Sequence, residues 1–227
     1  MLRHVGYDVV RYTPLNIVGL RRQGILEDAR INVVLDVGAN VGLYGRRLRE
    51  LGYSGRIVSF EPVADAYAQL AAAAAPDRHW DARNVALGPA DGSGSITVAA
   101  DSRYSSLLPM AGQYVHDAVA AVGSQDVQIH CLDSLARDIV HAGDRIFLKL
   151  DVQGFELEVL HGAQETLGQI SAIEVELSTR TVYVGQPLLH EVVAYLCERD
   201  FEIVSLEPLS FDRGTGYLRQ VDALLIR

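Results

Sequence analysis

Residues 36–42 read Asp36-Val37-Gly38-Ala39-Asn40-Val41-Gly42, between an apolar run and a stretch of helical spacing. The β-branched run from Asn32 to Val37 predicts a short buried strand, and residues 42–51 predict a helix. Glycine lets the chain turn sharply and lets a ligand approach the backbone. Unpaired NH groups at a helix N-terminus favour a carboxylate or a phosphate. The stretch therefore predicts a strand, a turn and a helix with a ligand site at the turn.

The alternation of strand and helix continues along the chain, which predicts a parallel sheet with helices on both faces. Further strands are predicted at residues 56–60, 79–85, 145–150 and 171–177, and helices at residues 65–75, 155–167 and 188–199. Residues 201–206 and 221–226 are two strands without a helix between them. With a turn region at 210–216, they predict a hairpin that adds an antiparallel strand to the sheet.

A single domain is predicted over residues 1–227, with residues 1–30 as a helical segment that packs on the sheet. Residues 89–144 interrupt the alternation and carry short strand patterns and a helix capped by Asp133. Within this insert, residues 101–126 have no firm periodicity and contain Tyr104, Met110 and Tyr114. We expect this segment to face an acceptor or to form a lid; the alternative is an ordinary crossover at the sheet edge.

Composition excludes several classes of protein. The formal net charge of −9 argues against a protein that binds nucleic acid through its phosphates. The N-terminus lacks the apolar core of a signal peptide, and no apolar run approaches the roughly 18–20 residues that cross a bilayer. Cys131 and Cys197 are predicted to be buried free thiols of a reducing cytosol. A soluble cytoplasmic protein without membrane contact is expected.

Glu61 follows the glycine turn by about twenty residues, at the end of the second strand, where an acidic residue accepts hydrogen bonds from ribose hydroxyls. A dinucleotide fingerprint places a glycine where this chain has Asn40. Asp36 and Asn40 suit the amino and carboxylate ends of methionine better than two phosphates. An NAD(P)-dependent reductase is nevertheless the competing enzyme class.

Four motifs in this order resemble those of the FkbM-type methyltransferases: residues 36–42, Phe60-Glu61-Pro62, residues 84–88 (Asn-Val-Ala-Leu-Gly) and residues 149–156 (Lys-Leu-Asp-Val-Gln-Gly-Phe-Glu). The resemblance implies a class I methyltransferase fold: a Rossmann-like α/β three-layer sandwich with a mostly parallel seven-stranded sheet and a C-terminal antiparallel strand. It also implies S-adenosylmethionine as cofactor and transfer to an oxygen, often a sugar or polyketide hydroxyl. The cofactor-binding residues that we predict are Asp36, Gly38, Asn40, Gly42, Glu61, Asn84, Val85 and Ala86.

Removing a proton from an alcohol acceptor needs a base or a metal. Asp151, at the end of the fourth predicted strand of the main alternation, is the first candidate as base or metal ligand; the alternative is a helix-capping role. Glu174 and Glu176 share one face of the next strand. Glu176 is nearer the strand end and would complete a Mg²⁺ site with Asp151. The competing interpretation is a buried salt bridge from Glu174 to Lys149 or an arginine.

His190 opens the helix after this strand, near the expected acceptor site, and is a third catalytic candidate. The chain departs from the family motif at Gln153, where a glutamate is usual, and this weakens the expectation of a metal site. The main hypothesis is an O-methyltransferase for a small-molecule or oligosaccharide acceptor. A non-catalytic partner subunit with the same fold is a further alternative, and a homodimer is the expected assembly.

Overall fold

A computed structural model describes residue 13 and residues 17–112, 120–212 and 214–227. Ten strands and six helices are described. The strands are β1 (Val33–Val37), β2 (Arg56–Phe60), β3 (Trp80–Arg83), β4 (Ala86–Leu87), β5 (Gly92–Ala99), β6 (Ala121–His130), β7 (Ile146–Leu150), β8 (Ile170–Ser178), β9 (Glu202–Phe211) and β10 (Leu218–Ile226). The helices are α1 (Val18–Asp28), α2 (Leu43–Glu50), α3 (Ala64–Ala74), α4 (Leu132–Ile139), α5 (Glu156–His161) and α6 (Leu189–Cys197).

The main sheet has seven strands in the order β3-β2-β1-β7-β8-β10-β9. The strands from β3 to β8 pair in parallel, whereas β10 is antiparallel to both β8 and β9. Because β1 and β7 are buried at every position, both need apolar side chains on both faces. The predicted fold class is thus confirmed, with the C-terminal hairpin as the antiparallel end of the sheet.

Two apolar clusters lie on opposite faces of this sheet and make it the middle of three layers. One cluster joins the strands to α4, α5 and α6 through residues such as Leu160 and Val192. The other joins them to α1, α2 and α3 through Leu26, Leu48 and Leu70. The expected packing of the N-terminal segment on the sheet is therefore observed for α1; residues 1–12 and 14–16 lie outside the described residues.

The insert at residues 89–144 contains most of a second, three-stranded sheet in the order β4-β6-β5. Ala86, Ile96 and Val127 of this small sheet share an apolar cluster with Val63 and Ala66 at the start of α3. Strand β6 begins earlier than the sequence pattern predicts, because its partner β5 pairs with it along its full length. The small sheet thereby places the segment after β5 above the carboxyl ends of β1 and β2.

The start of α4 and the end of α5 differ from the prediction, and Asp133 is involved in both differences. Asp133 does not cap α4, which begins at Leu132; its carboxylate instead accepts hydrogen bonds from the NH groups of Glu165 and Thr166. Helix α5 ends at His161, and a separate 3-10 helix spans Thr166–Gln169. A Cβ on Gly162 would lie 2.0 Å from the carbonyl oxygen of Gly88, so only glycine fits after α5, and the carbonyl of Gly162 accepts from the NH of Asp133 rather than from a further turn of α5.

The cysteine prediction was wrong about burial: Cys131 is half-buried and Cys197, the last residue of α6, is exposed. Both thiols are free. Among the helices in the described parts of the chain, none combines the length and the apolar character that crossing a bilayer requires.

Candidate active site

A cavity of about 390 Å³ opens at the carboxyl ends of β1, β2, β7 and β8. In a sheet of this type, that edge is where ligands bind. The walls come from the predicted motifs, from the segment after β5 and from the C-terminal hairpin. The lining residues include Gly38, Asn40, Glu61, Val85, Ala86, Ser102, Tyr104, Ser106, Asp151, Gln153, Glu176, Leu209, Ser210 and Gln220.

The glycine turn contributes shape and backbone to this cavity rather than free NH groups. Gly38 has φ +80°, and a Cβ there would lie 1.9 Å from the carbonyl oxygen of Asp151. The NH groups of Gly38 and Ala39 both donate to the carbonyl of Phe60, at 3.0 Å each. The NH of Asn40 donates to Glu61. These three NH groups are therefore already paired, with the carbonyl that ends β2 and with Glu61, and they lie before the helix N-terminus at which a ligand site was expected.

Glu61 is a buried acceptor at the floor of the cavity, only 5% exposed. Its Oε2 accepts from the NH of Asn40 and its Oε1 from the NH of Val63, each at 2.8 Å. Burial raises the pKa of this carboxyl to about 7, although both backbone hydrogen bonds oppose the rise. Each oxygen retains a lone pair, so the carboxylate is placed to accept from two neighbouring hydroxyl groups.

The residues of the third motif, at positions 84–86, have two different roles: two line the cavity and one supports a turn. Val85 and Ala86 line the cavity, as expected. Asn84 does not line it; its Nδ2 donates to the carbonyls of Glu61 and Pro62 at 2.8 and 3.0 Å. The structure thus gives Asn84 the role of holding the turn after β2, a role that is common for asparagine.

Two other residues of the glycine motif lie away from this cavity. Asp36 is 1% exposed and accepts from Ser59 Oγ at 2.9 Å, and burial raises its pKa to about 7. It lines an adjoining cavity of about 370 Å³ toward α1 and α2, which shares Asp151 and Glu176 with the first cavity. Gly42, with φ +80°, begins α2 close to Leu70 and Trp80 and lines neither cavity. Its absent side chain allows α2 to pack closely.

A row of buried polar side chains crosses the sheet one position before the ends of β1, β2 and β7 and in the middle of β8. Ser59, Asp36, Lys149 and Glu174 are register partners on β2, β1, β7 and β8. Arg22 of α1 forms a bidentate ion pair with Glu174, which confirms the salt-bridge interpretation of that residue. Tyr44 also donates to Glu174, at 3.0 Å.

Lys149 balances the acidic side of this row: its Nζ lies 3.4 Å from Asp222 and 3.9 Å from Asp151. Burial disfavours the charged lysine, but Asp151 and the neighbouring carboxylates outweigh it and raise the pKa of Lys149. The ammonium therefore stays charged beside Asp151.

Asp151 and Glu176 meet in the cavity through Gln153. The Nε2 of Gln153 lies 2.8 Å from Asp151 Oδ1 and 3.1 Å from Glu176 Oε1. Gln220 donates to the same oxygen of Glu176, at 2.5 Å. Burial and, next, the charge of Asp151 raise the pKa of Glu176 to about 8. The sequence therefore identified the two carboxylates, but not that the amide of Gln153 connects them.

The predicted Mg²⁺ site does not fit this arrangement. The space between the two carboxylates is taken by an amide nitrogen, which donates hydrogen bonds and does not ligate a hard cation. Across the described ranges, no group of three or more histidine, cysteine or acidic side chains is arranged to hold a metal. Glu156, the nearest further carboxylate in the motif, accepts from the NH groups of Val152 and Gly154 and so supports the turn.

His190 is exposed near the start of α6 and lines neither cavity, so the structure does not bring it to the site. The segment expected to act as a lid does reach the cavity. Its 3-10 helix, Ser102–Tyr104, lines the wall, and Ser102 accepts from Asn40 Nδ2 at 2.9 Å. Met110 instead forms a β-bridge with Tyr183. Tyr114 lies outside the described residues.

The chain is similar to solved structures of other proteins. An rRNA methylase from Streptococcus thermophilus is 9% identical over 96% of this chain and 99% of its own, with a TM-score of 0.50. A magnesium protoporphyrin IX methyltransferase from Synechocystis PCC 6803 with bound SAM is 10% identical over 100% of this chain and 89% of its own, with a TM-score of 0.49. None of the curated proteins matches the sequence.

The family assignment comes from the sequence rather than from these structures; at 9% identity the rRNA methylase shows the fold alone. The family model described as the methyltransferase FkbM domain matches residues 36–203. That range contains the glycine turn, Glu61 and the two carboxylates of the cavity. The chain belongs to the FkbM methyltransferase family.

Proposed function

We propose that this protein is an S-adenosylmethionine-dependent O-methyltransferase that acts on a hydroxyl group of a saccharide or a secondary metabolite. One observation carries the proposal. A single cavity contains both a buried acceptor for hydroxyl pairs, Glu61, and a pair of carboxylates, Asp151 and Glu176, at the ends of the next strands. The first suits the ribose of the cofactor, and the second suits removal of a proton from the acceptor.

The residues present fit the cofactor. Gly38 lines the cavity at the turn after β1, and Glu61 is fixed in place by two NH groups. Val85 and Ala86 provide an apolar wall for a base. When bound, S-adenosylmethionine supplies a methyl group on a positively charged sulfur, which accepts the electron pair of the broken carbon–sulfur bond.

Glu176 is the proposed base. Its raised pKa, about 8, is close to the pH of ordinary assays, where a carboxylate is both available and basic enough to take a proton. The acceptor oxygen forms the new bond to the methyl carbon while its proton passes to Glu176. Asp151 lies beside the site, with the ammonium of Lys149 3.9 Å from its carboxylate.

Cofactor binding is tested by thermal unfolding with S-adenosylhomocysteine. At about one hundred times its dissociation constant, a ligand stabilises the folded state by about 2.7 kcal/mol. We expect this stabilisation for the native protein and its loss in Glu61→Ala, because the ribose hydroxyls lose their acceptor. Glu158→Ala, at a half-exposed position on α5, is the matched control and should keep the shift. Unchanged melting of the native protein with both cofactor forms would reject the proposal.

The acceptor is sought with isotope-labelled S-adenosylmethionine and a panel of glycosides, polyketides and total tRNA. The carboxylates in the cavity and the net charge of −9 favour an uncharged acceptor over RNA. Labelled RNA without any labelled glycoside or polyketide would overturn the acceptor class.

Two alternative functions have their own tests. An NADH titration tests the reductase, and absence of methyl transfer to any acceptor despite cofactor binding would favour the non-catalytic subunit. The homodimer and the cytoplasmic location stay predictions.

A further inference from the structure

The amide group of Gln153 is placed symmetrically with respect to two acidic side chains. Its nitrogen carries two hydrogens and lies 2.8 Å from Asp151 and 3.1 Å from Glu176. One hydrogen is therefore available to each carboxylate. A neutral group thus links two acidic side chains that would otherwise repel each other.

The oxygen of the Gln153 amide lies on the side away from the carboxylates, next to Tyr183. Tyr183 is 1% exposed, and its hydroxyl lies 2.9 Å from Oε1 of Gln153. The hydroxyl has one hydrogen to share between this oxygen and the carbonyl of Tyr104, which lies 3.1 Å away, so the two carboxylates decide the orientation of the amide. Reversing the amide would place its oxygen against two carboxylates. The hydrogen-bond partners therefore assign the nitrogen to the carboxylate side.

The backbone of Gln153 is held as firmly as its side chain. Its φ of +52° lies in the left-handed region, which non-glycine residues adopt only where the surrounding structure imposes it. Its carbonyl accepts from Ser106 Oγ at 2.7 Å. Such geometry, at a cavity wall, is typical of a residue whose placement serves the site.

We propose that Gln153 is a positioning residue that takes the place of a bridging cation, so that Asp151 and Glu176 are held for proton removal without a divalent metal. The proposal rests on the proposed function and refines its chemistry. The amide performs the structural part of a metal's task, which is to hold two carboxylates together. It supplies no Lewis acid, so the proton of the acceptor passes to a carboxylate.

The proposal predicts that one atom decides whether the site binds metal. Gln153→Glu replaces the amide nitrogen with an oxygen and creates three carboxylates around one point, a ligand set suited to a hard cation. We expect the variant to bind one Mn²⁺, as seen by electron paramagnetic resonance and calorimetry, about tenfold or more tightly than the native protein. Gln69→Glu, which adds the same charge on the exposed side of α3, should bind Mn²⁺ as the native protein does.

A second variant and the native protein keep the test decisive if Gln153→Glu is poorly folded. Gln153→Met keeps the length of the side chain but donates no hydrogen bond. It should retain the S-adenosylhomocysteine shift while methyl transfer to an identified acceptor loses kcat with little change in KM. Native protein that binds one Mn²⁺, with the binding lost in Asp151→Asn or Glu176→Gln, would overturn the proposal.

Equal Mn²⁺ affinity in native protein and folded Gln153→Glu, or native kcat in Gln153→Met, would overturn it as well. These outcomes are separable from failure of the proposed function, which shows as absence of S-adenosylhomocysteine binding in the native protein.

Discussion

At the scale of single residues, position 38 requires glycine for two independent reasons, its backbone conformation and its close contact with Asp151. Its left-handed backbone favours glycine, and its contact with the carbonyl of Asp151 leaves no room for a side chain. Gly52 has the first property alone, since its φ is +90° and no atom lies near its missing Cβ. The two glycines therefore allow the cost of conformation to be separated from the cost of contact.

We predict that Gly52→Ala lowers the free energy of unfolding by about 1–2 kcal/mol, the cost of a left-handed non-glycine residue. Gly38→Ala should lower it by about 2 kcal/mol more, because the strands must also move apart. Urea denaturation of the two variants measures both values. Equal losses would show that the turn relaxes away from Asp151 without cost.

Single residues also mark the limit of what the sequence predicts. Glu61 was identified because its neighbours in the chain place it at a strand end. Gln153 was noticed only as a departure from a motif, since its partner Tyr183 is 30 residues away and nothing near either residue relates them. Asn84 was placed beside the cofactor although its amide is used by the backbone of the preceding turn.

At the scale of elements, the segment Ser102–Leu108 is the part of the cavity wall with the least regular structure. Ser106 fastens it: the hydroxyl donates to the carbonyl of Gln153 at 2.7 Å and accepts from the NH of Leu108 at 3.0 Å. The hydroxyl of Ser105 accepts from the NH of Ala99 at 3.2 Å, within the insert. The two serines are a matched pair on one segment.

Ser106→Ala is expected to make the segment open more often, because a buried carbonyl loses its donor at a cost of about 1 kcal/mol. Amide hydrogen exchange of residues 102–108 should become about fivefold faster, as that energy implies for local opening. Ser105→Ala should change it less. Identical exchange in native protein and Ser106→Ala would mean that the wall is held by other contacts.

Elements were predicted best where burial alone specifies them. Strands β1, β2 and β7 are apolar runs between turns, and their bounds follow directly from that pattern. Helix α5 was predicted too long because the residues that follow it are held by Asp133, in a different element, α4. Periodicity contains no information about such a contact, whereas it does report which face of a helix is buried.

At the scale of the whole molecule, buried carboxyl groups determine how stability depends on pH. Burial raises the pKa values of Asp36, Glu61 and Glu156 to about 7, and that of Glu176 to about 8. Unfolded carboxyl groups titrate near pH 4. Between these values the folded protein binds more protons than the unfolded chain, so its stability must fall as the pH rises.

We therefore expect the free energy of unfolding to be greatest near pH 5. From pH 5 to pH 7 it should fall by at least about 1.4 kcal/mol per pH unit, the value for one proton. Surface carboxylates with lowered pKa values, such as Asp212, act in the opposite direction only in more acidic solution. Urea titrations at pH 5, 6 and 7 measure the slope, and Glu176→Gln should flatten it above pH 6. Stability that increases from pH 5 to pH 7 would contradict the prediction.

The contact between Gly38 and Asp151 has a consequence for substitutions in the cavity. The residue before which a donor molecule would lie touches the peptide that carries one of the two acidic groups, with no side chain between them. We therefore expect a substitution that shifts either backbone to disturb the other, so that the two halves of the cavity cannot be altered independently.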